Sequence, residues 1–421
     1  MATERMNVKE RYKYLRIMQE RYRKASRRER SELLDQMEAV TQLHRKSLIR
    51  LIHSPLKRIK RSRERGVIYG REVNEVLFTI WEALDYPCAE RLTPQLLGVA
   101  QHLQRHGQLR LDAELTYKLG RISISTVERR LQGLRKRAGP APRPRSQRRS
   151  HIRQGVPMGR IAWDQATPGH FEVDLVHHCG HTTSGEYVYT VQMVDVATGW
   201  SELGAILGRS WRVLQHAFGH FFYRLPFPVL ELHPDNGAEF FNYYLMNYFQ
   251  QQLPDMQLSR SRPYRKNDNR YVEQRNGHLV RRYVGYGRLD TVQQTQLLNR
   301  LYDLIWLYFN FFQPVRKLKE KVFIDDERGE QQLRRRFDQA QTPFMRLKAS
   351  GILEPALQAR LQQLHDDTDL LALREQIHRL SNQLMDLPNA QPNDTQDIFE
   401  TLQLAQAEMK GGGRYPGNII K

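Results

Sequence analysis

The sequence has few cysteines and no long apolar run. Two cysteines, Cys88 and Cys179, in 421 residues are too few for a disulfide framework. The N-terminal stretch MATERMNVKERYKYLR is highly charged and unlike a secretory signal. The most apolar segment, 301–312, contains Tyr, Asp and Asn, which favours a buried helix over a membrane span. We therefore expect an intracellular, reduced, cytoplasmic protein with no membrane partner.

Acidic residues are scarce relative to basic ones. The chain has 66 Lys and Arg against 46 Asp and Glu, which gives a formal net charge of +20 and a pI near 10.0. An excess of this size favours a polyanionic partner, most often nucleic acid. With 421 residues, 40% of them hydrophobic, the chain has material for about two to four domains with their own cores.

Three acidic residues stand out because of their sequence surroundings. Asp174 lies within the apolar, β-branched run FEVDLV, where Asp is normally depleted. Asp235 follows a second apolar run in ELHPDNGAEF, just before an Asn-Gly turn signal, which places it at the carboxyl end of a strand. Glu273 follows residues suited to cap a helix over 271–283. Two strand-located Asp residues and a helical Glu are hard oxygen ligands of the kind that Mg²⁺ prefers.

These segments resemble the catalytic core of retroviral integrases and of bacterial insertion-sequence transposases of the D,D,E type. FEVDLV, VDVATGW, HPDNGAEF and RPYRKNDNRYVEQRNG carry the resemblance, which is specific over residues 160–290. It implies a ribonuclease-H-like core, a mixed sheet flanked by helices, with Asp174, Asp235 and Glu273 as catalytic metal ligands. The spacing departs from the family pattern, because 37 residues separate Asp235 from Glu273, two more than that pattern has. The loop at 251–257 can hold the extra residues.

The resemblance also implies a DNA transposase, a polynucleotidyl transferase that uses two Mg²⁺ ions or Mn²⁺ in their place. Asp174 would be shared by both ions, while Asp235 and Glu273 would each complete one coordination sphere. The implied reactions are hydrolysis at the 3′ ends of an insertion sequence and strand transfer into target DNA. The implied partners are double-stranded DNA, as element ends and target, and further copies of the chain, because two ends are joined. In the cell such a protein would associate with the nucleoid.

Residues 1–65 are predicted to form a helix-turn-helix DNA-binding unit. Two apolar helical patterns are joined by a short connection at 39–43, which is the plan of that motif. Arg45 and Lys46 begin the second helix, where the motif contacts DNA. An ordinary helical hairpin with a basic surface is the alternative interpretation.

Residues 66–137 are predicted to form a second unit of the same kind. Amphipathic helices are expected at 96–103 and 115–119. Ser125 and Glu128 match a capping box that opens a further helix. That helix carries the candidate DNA contacts Arg129 and Arg130.

A basic linker is predicted over 138–158, where Pro, Ser and Gln are mixed with Arg as the only charged residue type. The catalytic core is expected to occupy 159–290. Cations surround its third carboxylate and are candidates to hold the DNA phosphates. They are Arg262, Arg265, Lys266, Arg275 and Arg281.

The C-terminal part is predicted to be mainly helical. A long helix and a small charged unit with some β structure are expected over 291–350, and a helical region with a flexible tail over 351–421. Hydrophobic residues recur with the spacing of a heptad seam, which indicates either self-association or a helix packed on its own domain. They are Leu370, Leu373, Ile377, Leu380 and Leu384.

Two local patterns compete with this interpretation. Asp195 is a further acidic residue on a strand, but it precedes a turn that Asp commonly caps, so we interpret it as structural. The histidines and cysteine of HHCGH, at 177–181, are zinc ligands by type, but they crowd one turn without a separated second pair. A polar hairpin is therefore the preferred interpretation of that segment.

Two other functions are compatible with the same residues. One is a domesticated transposase that binds DNA without catalysis, against which the retention of all three carboxylates argues. The other is a ribonuclease-H-like nuclease that cuts DNA but does not join ends. The paired helix-turn-helix candidates and the basic linker favour an enzyme that joins specific ends.

Overall fold

The computed structural model describes most of the chain, in two compact units, Met1–Ile68 and Tyr69–Lys421. Asp235, Arg262, Arg265, Lys266 and nearly all of the predicted linker lie outside the described residues. No helix in the described ranges is long and apolar enough to cross a membrane. The described ranges are 6–56, 68–135, 158–159, 161, 165–234, 240, 242–261, 270–325, 331–391 and 394–402.

In the described part of the first unit, three helices surround a small core. The helix pair expected from the sequence is present, and its connection is short because Gln42 adopts a left-handed conformation with φ 55° and ends the first of the two helices. That helix begins with a capping box between Ser26 and Glu29. An additional helix precedes the pair and packs on both members. The helices are α1 Val8–Lys24, α2 Arg27–Thr41 and α3 Arg45–Ile52.

The second unit begins with five helices that share one core with the sheet and the C-terminal helices. The expected helices at 96–103 and 115–119 are confirmed. The predicted capping box is wrong, because the last of the five helices begins two residues earlier and the Ser123 hydroxyl accepts from the Thr126 N–H. Ser125 therefore lies inside that helix. The helices are α4 Arg71–Ala83, α5 Ala89–Leu92, α6 Leu96–Arg105, α7 Ala113–Arg121 and α8 Ile124–Arg135.

A mixed five-stranded sheet flanked by helices follows, as the resemblance to integrases predicts. Its strand order is β4-β3-β2-β5-β6, with β2, β3 and β4 antiparallel and with β5 and β6 parallel to β2. β1 and β7 form a separate short parallel pair. The strands are β1 Met158–Gly159, β2 His170–His177, β3 Val188–Asp195, β4 Ser201–Leu207, β5 Glu231–Pro234, β6 Gln257–Leu258 and β7 Arg260–Ser261.

Helices lie between and after these strands. α9 Trp211–Arg224 follows β4, and α10 Tyr243–Gln252 follows β5. The helix expected over 271–283 is present but changes its winding. It runs as α11 Arg270–Arg275, a π-helical segment Asn276–Arg281 and α12 Arg282–Val284.

The C-terminal part contains the long predicted helix, three further helices and a β-hairpin. The long helix, α13, is capped by Thr291 and Gln294 and is followed by Gln313 and Pro314. The hairpin accounts for the β structure expected in the charged segment. The elements are α13 Val292–Phe312, β8 Leu318–Asp325, β9 Gln331–Phe337, α14 Pro343–Ser350, α15 Pro355–Asp367 and α16 Leu370–Asp386.

The leucine seam of α16 is used inside the chain. α16 packs against α13, and four of the five seam residues are buried there. The Ser381 hydroxyl on the same face bonds to the Tyr283 carbonyl of α12. The four buried seam residues are Leu370, Leu373, Ile377 and Leu384. Of the two interpretations of the seam, a helix packed on its own domain is therefore the one observed, because the apolar face is already covered.

Candidate active site

Asp174 lies on β2, in the middle of the sheet between β3 and β5. Its side chain is half-buried, and each carboxylate oxygen has a donor. The backbone N–H of Leu175 donates to Oδ1 at 2.9 Å, and the Asn276 side-chain amide donates to Oδ2 at 2.7 Å. Asn276 is the first residue of the π-helical segment, so the helix that carries Glu273 reaches the strand that carries Asp174.

Glu172 attaches the beginning of this helix to β2. Its Oε2 accepts hydrogen bonds from the backbone N–H groups of Tyr271 and Val272, at 2.7 and 2.9 Å. The first N–H groups of a helix have no partner within the helix, and a carboxylate there is also favoured by the helix dipole. Glu172 is 1% exposed and lies two residues from Asp174 on the same strand. No sequence signal near Glu172 indicates this role, because its partners lie about 100 residues away.

Glu273 is half-buried on α11, which packs on β2 and β3. It precedes Asn276 by three residues, and residues at that spacing share a helix face. Because Asn276 bonds to Asp174, the face that includes Glu273 is the one directed at β2. The helix that carries Glu273 thus contacts Asp174 through Asn276.

Asp235 lies outside the described residues. The strand before it, β5, is parallel to β2, and its last residue, Pro234, is the register partner of Val173. Asp235 follows Pro234 in the sequence, as Asp174 follows Val173.

Buried polar atoms without partners lie beside Asp174. Gln192 on β3 is its register partner, and directly opposed residues share a sheet face. Gln192 is fully buried, yet neither its Oε1 nor its Nε2 has a hydrogen-bond partner in the described part of the chain, nor has Oδ1 of Asn276. Such atoms cost about 1–3 kcal/mol each when they remain unsatisfied. Their position suits a site that takes up a polar ligand, such as water or a hydrated ion.

A cationic group lies on the same helix. Arg275 is half-buried with its guanidinium 4.7 Å from the centre of the Phe309 ring. Burial, and then the charges of Arg91 and Arg346, lower its pKa to about 9. It also lies against the turn of the VDVATGW motif, where Gly199 has φ +78° and a Cβ would come within 2.9 Å of Arg275 Nη2. None of the carboxylates within the described ranges forms an ion pair with Arg275.

Several other predicted DNA contacts are occupied within the chain. Arg45 bonds to Ser31 and to the Asp35 carboxylate of α2. Arg130 donates to Asn74 Oδ1 and to the Tyr69 carbonyl, and Arg281 donates to the His177 and Gly285 carbonyls. Lys46 and Arg129 are exposed, and Arg129 also donates to the Ser125 carbonyl and the Thr126 hydroxyl within its own helix, each at 3.3 Å. Of the six candidates in the described ranges, these two are therefore the most accessible to a ligand.

The competing patterns are accounted for by structural contacts. Asp195 is fully buried and accepts from Gly169 N–H at 2.8 Å and from the Thr198 N–H and hydroxyl at 2.7 and 2.6 Å. His178 is fully buried, and its Nε2 is 2.8 Å from the Thr190 hydroxyl. Within the described ranges, the ligand atoms of the 177–181 segment do not form a group close enough to hold a metal. The interpretations of Asp195 as structural and of this segment as a polar hairpin fit these contacts.

The fold and this site define a mixed α/β core with acidic residues where one helix meets the central strand. Comparison of the sequence with known proteins shows a relative of this chain. The chain is 40% identical over 306 residues to the uncharacterized protein y4rM of Sinorhizobium fredii, an alignment that covers 72% of this chain and 87% of that protein. The chain therefore belongs to the same family as y4rM. No protein-family model matches it.

Among solved structures, the catalytic core domain of BIV integrase is similar to part of the chain. The alignment covers 34% of this chain and 83% of that domain, with 18% sequence identity and a TM-score of 0.26.

Proposed function

We propose that this protein is a D,D,E-type DNA transposase. It binds the ends of an insertion sequence, hydrolyses their 3′ ends and joins them to target DNA. The observation that supports the proposal is a set of hydrogen bonds between the helix that carries Glu273 and the strand that carries Asp174. Tyr271 and Val272 donate to Glu172, and Asn276 donates to Asp174. The third carboxylate, Asp235, follows the neighbouring parallel strand in the sequence.

The residues at this place fit magnesium. Asp174, Asp235 and Glu273 would hold two Mg²⁺ ions, or Mn²⁺, through carboxylate oxygens, which are the ligands that these ions prefer. The unpartnered polar atoms of Gln192 and Asn276 would meet the water that such ions retain. When bound, the metal ions supply activation of water and stabilisation of the charge that develops on the phosphate.

The chain's own residues hold the ligands in position. The Asn276 amide and the Leu175 N–H each donate to one oxygen of Asp174, which restricts rotation of the carboxylate. Glu172 keeps the first turn of α11 on β2, so Glu273 cannot move away without breaking two hydrogen bonds. Supporting contacts of this kind are what keep a metal-binding set in its productive geometry.

Cations on two elements would bind the phosphates of DNA. Arg275 has no ion-pair partner in the described ranges, and Arg91 adds a second guanidinium close enough to lower its pKa. A polyanion would compensate both charges. The loop before α11 would add three further cations, and Lys46 and Arg129 would contact DNA from α3 and α8. The three cations of that loop are Arg262, Arg265 and Lys266.

The joining of two bound ends would require more than one copy of the chain.

The test is strand transfer by the purified chain on labelled DNA from the ends that flank its gene, with Mg²⁺ or Mn²⁺. We expect Glu273→Gln to reduce cleavage and joining by more than about 100-fold, because loss of a supporting residue alone costs 10–100-fold at metal sites. DNA binding by the same variant should be retained. Glu375→Gln is the matched control, since Glu375 is exposed on α16 and pairs only with Arg379 in the described structure.

Each outcome separates the competing functions. Joined products that disappear in Glu273→Gln support the proposal. Cleaved ends without joined products indicate a ribonuclease-H-like nuclease, and binding without either product indicates a non-catalytic DNA-binding protein. Full activity of Glu273→Gln would remove Glu273 from the site.

A further inference from the structure

A group of imidazoles joins α6 to the end of α15, on elements that carry none of the three carboxylates. His102 on α6 is 2% exposed, and its ring centre lies 5.0 Å from that of His365 and 4.8 Å from that of His106. His365 stacks on Phe312 at 4.8 Å. The carboxylate of Asp366 lies next to it, with Oδ1 2.9 Å from His365 Nδ1. Three imidazoles and a carboxylate thus meet in one place.

The hydrogen bonds determine which nitrogens are available. His102 Nε2 is 2.8 Å from the Thr368 carbonyl oxygen, which can only accept, so Nε2 carries the proton and Nδ1 the lone pair. The Asp366 carboxylate likewise favours the proton on His365 Nδ1 and leaves Nε2 as an acceptor. Each ring therefore keeps one nitrogen with a lone pair for a metal ion.

A positive group already lies at this place. Arg105 Nη1 is 3.1 Å from Asp366 Oδ1, and Arg105 Nη2 is 3.4 Å from His102 Nδ1. The Arg105 guanidinium therefore contacts one ligand-capable atom of Asp366 and one of His102. Its side chain is 52% exposed, so it can leave toward solvent without unfolding the helix.

We propose that His102, His365 and Asp366 bind a Zn²⁺ ion, which takes the place of the Arg105 guanidinium. Their ligand-capable atoms lie within 4.8 Å of one another. Zinc holds N and O ligands at about 2.0–2.2 Å, so small side-chain rotations close the site around the ion, with water at the fourth position. Two imidazoles and one carboxylate favour zinc over magnesium, which prefers oxygen alone.

The surroundings are those of a metal-binding histidine. The bond from His102 Nε2 to the Thr368 carbonyl fixes the ring, as the non-ligating nitrogen of a metal-bound histidine normally does. The His106 ring lies beside His102, and its Nε2 is 3.0 Å from the Asp366 carbonyl oxygen, which holds the end of α15 in place. Bound zinc would therefore link α6 to α15. The His106–Asp366 hydrogen bond already joins these two helices across 260 residues of sequence.

The experiment is calorimetric titration of the full chain with Zn²⁺, after metal removal by a chelator and with Mg²⁺ in excess to occupy the carboxylate site. One zinc ion per chain is expected. His365→Gln and Asp366→Asn should each weaken binding by at least about 100-fold, since even a supporting residue costs 10–100-fold. Arg105→Ala should tighten binding by about 10-fold, because no guanidinium then competes for the ligands. Thermal unfolding of each variant without zinc establishes that it is folded.

Two variants are the matched controls. His181→Gln changes an exposed histidine of the 177–181 segment, and Glu273→Gln changes a residue of the proposed magnesium site. Both should bind zinc as the unchanged chain does. The proposal is overturned if the unchanged chain binds no zinc, or if folded His365→Gln and Asp366→Asn bind it normally. Loss of binding in either control would place the ion elsewhere, and weaker binding by Arg105→Ala would contradict displacement of the guanidinium.

Discussion

Glu172 shows how one side chain can hold a helix of the candidate site through backbone hydrogen bonds. Its strand position, two residues before Asp174, is evident from the sequence, and alternation places both side chains on one face. Its partners are not evident, because the N–H groups of Tyr271 and Val272 are about 100 residues away and belong to another element. The alternation of residues along a strand predicts which face of the sheet a side chain occupies. That Glu172 accepts hydrogen bonds from α11 depends instead on where α11 packs against the sheet.

We expect Glu172→Ala to loosen the start of α11. Removal of the carboxylate leaves two N–H groups without their acceptor, at a cost of about 1–3 kcal/mol. Hydrogen exchange at the Tyr271 and Val272 amides should accelerate, while amides in the middle of α13 keep their protection. Glu172→Gln, which retains an acceptor oxygen, should have a smaller effect, and Glu375→Ala none. Unchanged exchange at both amides in Glu172→Ala would show that the bonds do not hold the helix.

Arg275 and Arg281 show how contacts within the chain add to a prediction made from residue type. Both are cations beside Glu273 and were predicted to contact phosphate. The structure places Arg275 against Phe309 and the turn at Gly199, and it engages Arg281 with backbone carbonyls. Guanidinium groups stack on rings and donate to carbonyls as well as to phosphate, so residue type alone does not specify these intrachain contacts.

At the level of elements, the sequence predicts those whose pattern is local. α6, α7 and α13 follow from apolar periodicity along a few turns. The start of α8 was predicted at Ser125 because a Ser and a Glu three residues apart match a capping box, but Ser123 supplies the bond. No local sequence pattern predicts the π-helical segment. Nor does a local pattern predict that α13 is the helix against which the apolar seam of α16 packs.

The turn between α4 and α5 contains a buried charge that connects it with α12 and α16. Asp85 is 2% exposed and has a φ of 54°, a conformation that Asp and Asn adopt more readily than most residues. Its carboxylate accepts from Arg374 Nε at 2.8 Å, His378 Nε2 at 3.0 Å and the Tyr283 hydroxyl at 2.6 Å. Burial opposes its ionisation, but the His378 bond, the Arg282 charge and the Tyr283 bond outweigh burial and hold its pKa well below the usual value.

This pKa predicts a pH-dependent contribution to stability. Because the folded-state pKa is lowered, ionised Asp85 stabilises the fold above the unfolded-state pKa of about 3.9, and the contribution is lost as pH falls below it. Asp85→Asn should cost about 3 kcal/mol at neutral pH, since it leaves buried partners without their counter-charge. In urea unfolding, the difference from the unchanged chain should shrink below about pH 4. A constant difference across pH would contradict this, and Asp255→Asn, an exposed change, is the control.

The arrangement of the whole molecule is the part least accessible from sequence. Residues 66–137 were predicted as a separate unit, yet Tyr308 of α13 bonds to the Ala83 carbonyl, and Gln313 bonds to the Leu84 carbonyl. Arg91 likewise donates to the carbonyl of Pro314. These contacts join residues more than 200 positions apart, and amphipathic pattern shows only that a face needs a partner, not which element supplies it.

The charge of the whole chain predicts strong salt dependence of DNA binding. With a formal net charge of +20, affinity should fall by about 10³-fold or more between about 50 and 200 mM salt, as bound phosphates release their counterions. Lys46→Ala and Arg129→Ala should each lower the slope of log affinity against log salt by about one. Arg360→Ala, an exposed change on α15, should leave the slope unaltered. Fluorescence anisotropy with labelled duplex measures all of these, and a slope near zero would exclude binding through phosphates.

The π-helical segment makes the spacing after Glu273 intolerant of length changes. Each residue of an α-helix advances the direction of the side chains by about 100°. Residues before Asn276–Arg281 face β2, and residues after it, in α12, meet α16, so the segment sets the angular offset between two docked faces. Deletion of one residue there would leave the composition almost unchanged, yet it would rotate one face away from its partner. Substitution of the exposed residues Gly277 and His278 should therefore be far milder than any insertion or deletion in this segment.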